Sequence, residues 1–218
     1  MQKVIIVANA DYMSSQDGVF GKKPLGNEVD KFDVVIRMNR YVTDGHEEHI
    51  GSKTDLWCLN RKILLQEENL YYGYYDENWE KYKLQSPSLK KCVMMTYCFE
   101  KDEADELRKE DIVVKNNIEV ANTYKVINEL KDRWRDFSGN DNFKKPATGI
   151  MAILHYLNSY NKIYTHNFDW GKTSHYWGVV NAADRPNRHH SWDFEEKVVN
   201  DLISEGKVTD AIVSGVDQ

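Results

Sequence analysis

The residues of this chain best suited to chemistry begin with Lys145-Pro146-Ala147-Thr148-Gly149. Proline suits a first helical turn, because its missing N–H would be unpaired there anyway. The N–H groups of such a turn and the helix dipole favour a carboxylate or a phosphate. Thr148 adds a hydroxyl, and Gly149 would let a ligand approach the backbone closely. An ordinary helix start has the same composition, so the segment alone names no ligand.

Two histidines come next. His175 opens His175-Tyr176-Trp177, in a loop beyond an apolar run at residues 163–165. A histidine there can donate to a leaving phosphate and balance its growing charge, and Tyr176 and Trp177 offer flat surfaces for a base or a sugar. His190 stands beside His189 and five residues before Glu195. If Ser191 or Trp192 opens a helix, His190 lies at its mouth, where a neutral imidazole can accept a hydroxyl proton. Glu195, in the first turn of that helix, would cap the backbone or orient the imidazole. Each histidine taken singly also reads as a loop residue with no reactive role.

Asn9 and Asn39 end two further apolar runs. A side-chain amide both donates and accepts, which suits a phosphate or a ribose, although a turn or a helix cap uses it equally well. Gly18, Gly21 and Gly26 follow the first run without forming GxGxxG or a Walker loop, so no dinucleotide fingerprint is present. His46 and His49 flank two glutamates, but HEEH is not HExxH. With no cysteine pair and no Asp-rich triplet beside them, no metal site is expected.

Elements must hold these residues in place. Short apolar runs bounded by turn residues predict buried parallel strands at Val4–Val7, Val34–Ile36, Asp55–Leu59, Cys92–Thr96, Ile112–Val114, Ile163–Thr165 and Ala211–Val213. Helical spacing predicts helices at Ala104–Lys109, Ile118–Phe137, Thr148–Ser159 and Phe194–Glu205. The alternation predicts an α/β fold, a mostly parallel sheet flanked by helices. Ligands bind such sheets beyond the carboxyl ends of the strands, which puts Asn9, Asn39, Asn60 and the loop after Phe168 on the working edge. Leu70–Tyr82, rich in Tyr and Trp, reads either as a helix packed on the sheet or as a wall for an acceptor sugar.

The 218 residues suffice for one α/β domain over 1–218, and 41% hydrophobic and 12% aromatic residues describe a chain that folds. A net charge of −6 argues against nucleic acid and anionic membranes as partners. Cys58, Cys92 and Cys98 are odd in number and lack CxxC spacing, as expected of free thiols in a reducing, cytoplasmic setting. No apolar stretch approaches the ~18 residues of a membrane span.

In order along the chain, these pieces resemble the animal-type sialyltransferases, glycosyltransferase family 29. The family's large sialylmotif runs from a strand ending in Asn to Asp-x-x-x-Arg-Met-Asn, and is matched by Val4–Asn9 and by Gly26 through Arg37-Met38-Asn39. Gly51-Ser52-Lys53-Thr54 resembles the family's Gly-Thr-basic-Thr. Pro146-Ala147-Thr148-Gly149 is similar to the small motif, His175-Tyr176-Trp177 to the third, and His190 with Glu195 to the very small one.

The resemblance implies a Rossmann-like, GT-A-variant catalytic domain and transfer of sialic acid from a CMP-sugar to a glycan hydroxyl. It further implies inversion, no metal and no cofactor. By the same resemblance His190 is the base and His175 contacts the donor phosphate. Asn9 and Asn39 hold CMP, and Thr148 and Gly149 hold the sugar carboxylate.

Departures from the family pattern accompany these matches. The family's disulfide falls at Val4 and Tyr160, so no bridge forms, in keeping with a bacterial or viral source. The family's membrane anchor, stem and the segment before its large motif are not matched among these residues. Ala147 replaces the usual Ser, which keeps CMP-Kdo open as the donor. A non-catalytic CMP- or glycan-binding module remains a further reading.

Overall fold

Val4-Ile5-Ile6-Val7 is a short run of β-branched residues suited to a strand covered on both faces, and all four residues are buried. It is β1 in a computed structural model that describes residues 2–10, 24–39, 41–60, 88–95, 97–98, 100–115, 117–171 and 190–211. The other described strands are β2 (Val34–Met38), β3 (Leu56–Leu59), β4 (Lys91–Met94), β5 (Glu119–Val120), β6 (Ile163–His166) and β7 (Val208–Asp210). They form one sheet in the order β5-β4-β3-β2-β1-β6-β7, and every pairing is parallel.

The described helices are α1 (Gly26–Asp30), α2 (Glu47–Ile50), α3 (Lys101–Leu107), α4 (Asp111–Lys115), α5 (Thr123–Ser138), α6 (Thr148–Leu157) and α7 (Trp192–Ser204). Side-chain alternation decides which face each one covers. Val4 and Ile6 of β1, with Val34, Ile36 and Met38 of β2, pack against α5, α6 and α7. Ile5, Val7 and Val35 point the other way, to Val29 of α1 and Ile50 of α2. Trp57, Leu59, Cys92 and Met94 face Ala104, Leu107 and Val113. The α/β expectation therefore holds, with helices on both faces of a parallel sheet.

Strand order reverses beside β1. The chain moves outward from β1 to β5, then returns to lay β6 and β7 on the other side of β1. Crevices for ligands open at the carboxyl edge next to such a reversal.

Two expected strands need correction. Ile112–Val114 lies in helix α4. Val113 is buried but Val114 is 65% exposed, and the place beside β4 is taken by β5. The last described strand is Val208–Asp210, and Ala211 lies past its end, while 212–213 lie outside the described residues. A left-handed Gly206, φ 72°, ends the turn after α7 and starts β7 at once. Thr96, Gly18, Gly21 and the aromatic stretch 70–82 lie outside the described residues.

Candidate active site

The tip of β2 does two jobs within three residues. Arg37 points beneath the sheet and is 1% exposed. It donates to the carbonyls of Ile50 and Gly51 at 2.8 and 2.9 Å and to Thr54 Oγ1 at 3.0 Å. Alternation would send Asn39 to the same side, but Asn39 has φ 49°. That left-handed conformation is one asparagine tolerates, and it turns the amide toward α6.

Asn39 is then held on every side. Its N–H donates to Cys58 O at 2.6 Å, and its carbonyl accepts Trp57 Nε1–H at 2.7 Å. Its Oδ1 accepts the Asn60 N–H at 3.1 Å, which leaves Nδ2 to donate to Thr148 Oγ1 at 3.1 Å. Asn9, just past β1, donates Nδ2–H to Met38 O at 3.0 Å. The strand tips and the start of α6 thus meet at one point of the carboxyl edge.

Helix α6 begins at Thr148 and Ala147 is its N-cap residue, so Pro146 precedes the helix rather than leading it. Alanine cannot cap, having no side-chain acceptor. The N-cap residue's own N–H is served from α7 instead: Glu195 Oε1 accepts the Ala147 N–H at 3.0 Å, the part an N3 glutamate plays in a capping box. Glu195 is 2% exposed, and burial pushes its carboxyl up to about 8. Glu195 thus serves the backbone just ahead of α6 rather than the first turn of its own helix. The N–H groups of Thr148, Gly149 and Ile150 follow in the first turn, where no earlier carbonyl serves them within the helix.

Gly149 is there for packing. A Cβ at that position would sit 2.8 Å from Phe168 Cε1 and 3.6 Å from the Met38 sulfur. Only glycine lets α6 settle between β2 and the loop after β6.

His190 ends up beside the same segment. Its Nδ1 lies 2.7 Å from Lys145 O, so the Nδ1–H donates to that carbonyl and Nε2 carries the lone pair. The start of α7 therefore grips residues 145–147 twice, through His190 at one end and Glu195 at the other. Phe194 anchors α7, meeting Trp134 edge-on at 5.3 Å and Phe137 at 5.5 Å on α5. Asn9, Asn39, Thr148, Gly149 and His190 are thus brought to one edge. His175, Tyr176 and Trp177 lie outside the described residues. Sequence reasoning missed Asn167, whose Nδ2 donates to Ala8 O and Ala10 O at 3.2 and 2.6 Å and ties β6 to β1. It missed also the seat of Trp192 on Gly171.

The model of glycosyltransferase family 29 (sialyltransferase) matches residues 15–207. The chain belongs to this family. Its parallel sheet with helices on both faces is the Rossmann-like, GT-A-type arrangement implied by the motifs. The family 29 chain is 25% identical over 210 residues to the type 2 lactosamine alpha-2,3-sialyltransferase of Mus musculus, covering 88% of this chain and 61% of that protein. It spans between 52% and 61% of the curated relatives it matches. In fold it is similar to a mammalian sialyltransferase solved with Gal-beta-1-3GalNAc-ortho-nitrophenol, with a TM-score of 0.59 and 20% identity, over 96% of this chain and 68% of that one. It is similar also to a variant of the sialyltransferase CST-II in complex with CMP, with a TM-score of 0.54 and 16% identity, over 96% and 80% of the two chains.

Proposed function

We propose that this chain transfers sialic acid from CMP-sialic acid to a glycan hydroxyl by a single inverting displacement, without metal or cofactor. The observation that carries the reading is the meeting of Asn39 with Thr148 at 3.1 Å, beside a His190 pinned to Lys145. An anion site, a nucleotide-binding edge and a base converge there. CMP lies along Asn9 and Asn39. The donor carboxylate lies at the first turn of α6, where the helix dipole favours it and the Thr148 hydroxyl can turn toward it. His175 serves the phosphate, with Tyr176 and Trp177 as flat walls. With Nδ1–H committed to Lys145 O, Nε2 of His190 accepts the proton of the attacking hydroxyl. The phosphate is a good leaving group, so stabilising its charge suffices to expel it.

The experiment is incubation with CMP-Neu5Ac and a lactose-type acceptor in the presence of EDTA. CMP release that requires the acceptor supports the reading. Release only with CMP-Kdo moves the donor to Kdo, which the missing hydroxyl at Ala147 leaves open. CMP binding without release from either donor would leave a binding module.

A further inference from the structure

We propose that Trp192 is a positioning residue for His190, holding its imidazole in line and stabilising the imidazolium formed when it accepts a proton. This rests on the reading of His190 as the base.

The ring centroids of His190 and Trp192 are 4.9 Å apart, with their planes at 51°. That lies within the range at which a cation is attracted to an aromatic face, and indole is the strongest of the natural faces. Trp192 is itself held. At Gly171 a Cβ would stand 2.6 Å from Trp192 Nε1 and 2.7 Å from its Cε2, so the indole rests directly on the glycine backbone. The loop that delivers Gly171 is unusual: Trp170 has φ 54° and Gly171 φ 77°. Left-handed backbone at a tryptophan is costly and persists only where surroundings impose it. Asp169 Oδ1 accepts the Gly171 N–H at 3.0 Å and helps to impose it. The chain thus maintains a strained turn whose tip is the floor under Trp192.

The charged groups of the adjoining elements are Lys145, Glu195, Asp193 and Asp169. The Lys145 ammonium lies 5.8 Å from the Tyr97 ring centroid, and the Glu195 carboxyl is engaged with Ala147 N–H. Asp193 is exposed, and Asp169 Oδ1 accepts the Gly171 N–H. His190 thus has the Lys145 carbonyl on Nδ1 and the indole against its ring.

The test compares the parent with Trp192→Leu, Trp192→Phe and Gly171→Ala. Two readouts are needed, an NMR titration of the His190 ring without substrate and steady-state transfer kinetics. In Trp192→Leu, His190 should titrate at lower pH than in the parent. Its kcat should fall about three- to tenfold, from the usual worth of such a contact, with the donor KM within about twofold. Trp192→Phe should fall between the two and covers the case in which the leucine variant folds poorly. Gly171→Ala should act in the same direction, and combining it with Trp192→Leu should add little. An unmoved His190 titration in Trp192→Leu, or a raised KM at constant kcat, overturns the proposal. The titration is decisive even if no transfer is detected, which separates failure of this inference from failure of the assigned reaction.

Discussion

Arg37 and Asn39 stand two residues apart on one strand end, yet they belong to different kinds of polar corner. The Arg37 corner, under α1 and α2, is knitted largely from backbone. Asp30 Oδ1 and Oδ2 accept the Ser52 N–H, and Oδ1 takes the Lys53 N–H. A Cβ at Gly51 would fall 2.3 Å from Asp30 Oδ1, and one at Gly26 would fall 1.8 Å from Glu47 O. Asp55, beneath the sheet, accepts the Val35 N–H and pairs with Lys90 and Lys53. Burial works to raise its carboxyl, but these partners outweigh it and the net direction is down. At the Asn39 corner side chains also meet backbone, but the contacts run between elements distant in sequence, Asn39 reaching Thr148 and Glu195 reaching Ala147 N–H. The difference teaches that one sequence motif can be half brace and half site. Gly26, Asp30, Arg37 and Gly51–Thr54 hold the sheet end rigid so that Asn9 and Asn39 can be presented.

The largest effect expected from this contrast is at Arg37. Arg37→Ala removes the buried donor to the carbonyls of Ile50, Gly51 and Lys53 and to the Thr54 hydroxyl, and should cost about 3 kcal/mol or more in urea unfolding. Near-parental stability would remove the brace from the account.

Next come two pH windows, one in each corner. His166 Nε2–H donates to His49 O, while burial, ahead of the nearby Arg37, lowers its imidazole from 6.5 to about 4. Its contribution to stability is therefore present above about pH 6.5 and is lost as pH falls through 4. Glu195 runs the other way. Its folded carboxyl, at about 8 against 4.5, keeps a proton that the unfolded chain releases. Its contribution to stability is full below pH 4.5 and declines as pH rises toward 8, by up to about 1.4 kcal/mol per pH unit. Glu195→Gln should abolish that alkaline decline in unfolding curves from pH 5 to 8 and still accept the Ala147 N–H. His166→Gln should flatten the acid side instead. Between pH 4.5 and 6.5 the two groups oppose each other, so each single substitution should expose the slope of the other.

A smaller effect is predicted for Asn39→Gly. Glycine keeps the left-handed turn, so stability should change by about 1 kcal/mol or less. CMP affinity, read by calorimetry, should drop about tenfold. Lost stability with unchanged affinity would make Asn39 part of the brace.

Much of this was legible because the strands near the site are wholly buried. Val4–Val7 has the predicted bounds, and Arg37-Met38-Asn39 ends its strand as read. What escaped reading is what tertiary contact alone decides. The two-residue β5 carries no period of its own. In Ile112–Val114 a single turn of helix with Val113 inward has the composition of a strand. The tie between α7 and the start of α6 was hidden because the acceptor of the Ala147 N–H stands 48 positions later. The reason for Gly149 was hidden because Phe168, not a ligand, occupies the space of its absent Cβ.

The most direct measurement compares CMP release by the parent and by His190→Ala, with CMP-Neu5Ac, acceptor and EDTA present. The account predicts acceptor-dependent release in the parent and a loss of about 10²–10⁴-fold in the variant, with CMP binding retained. Near-parental turnover by His190→Ala would contradict it.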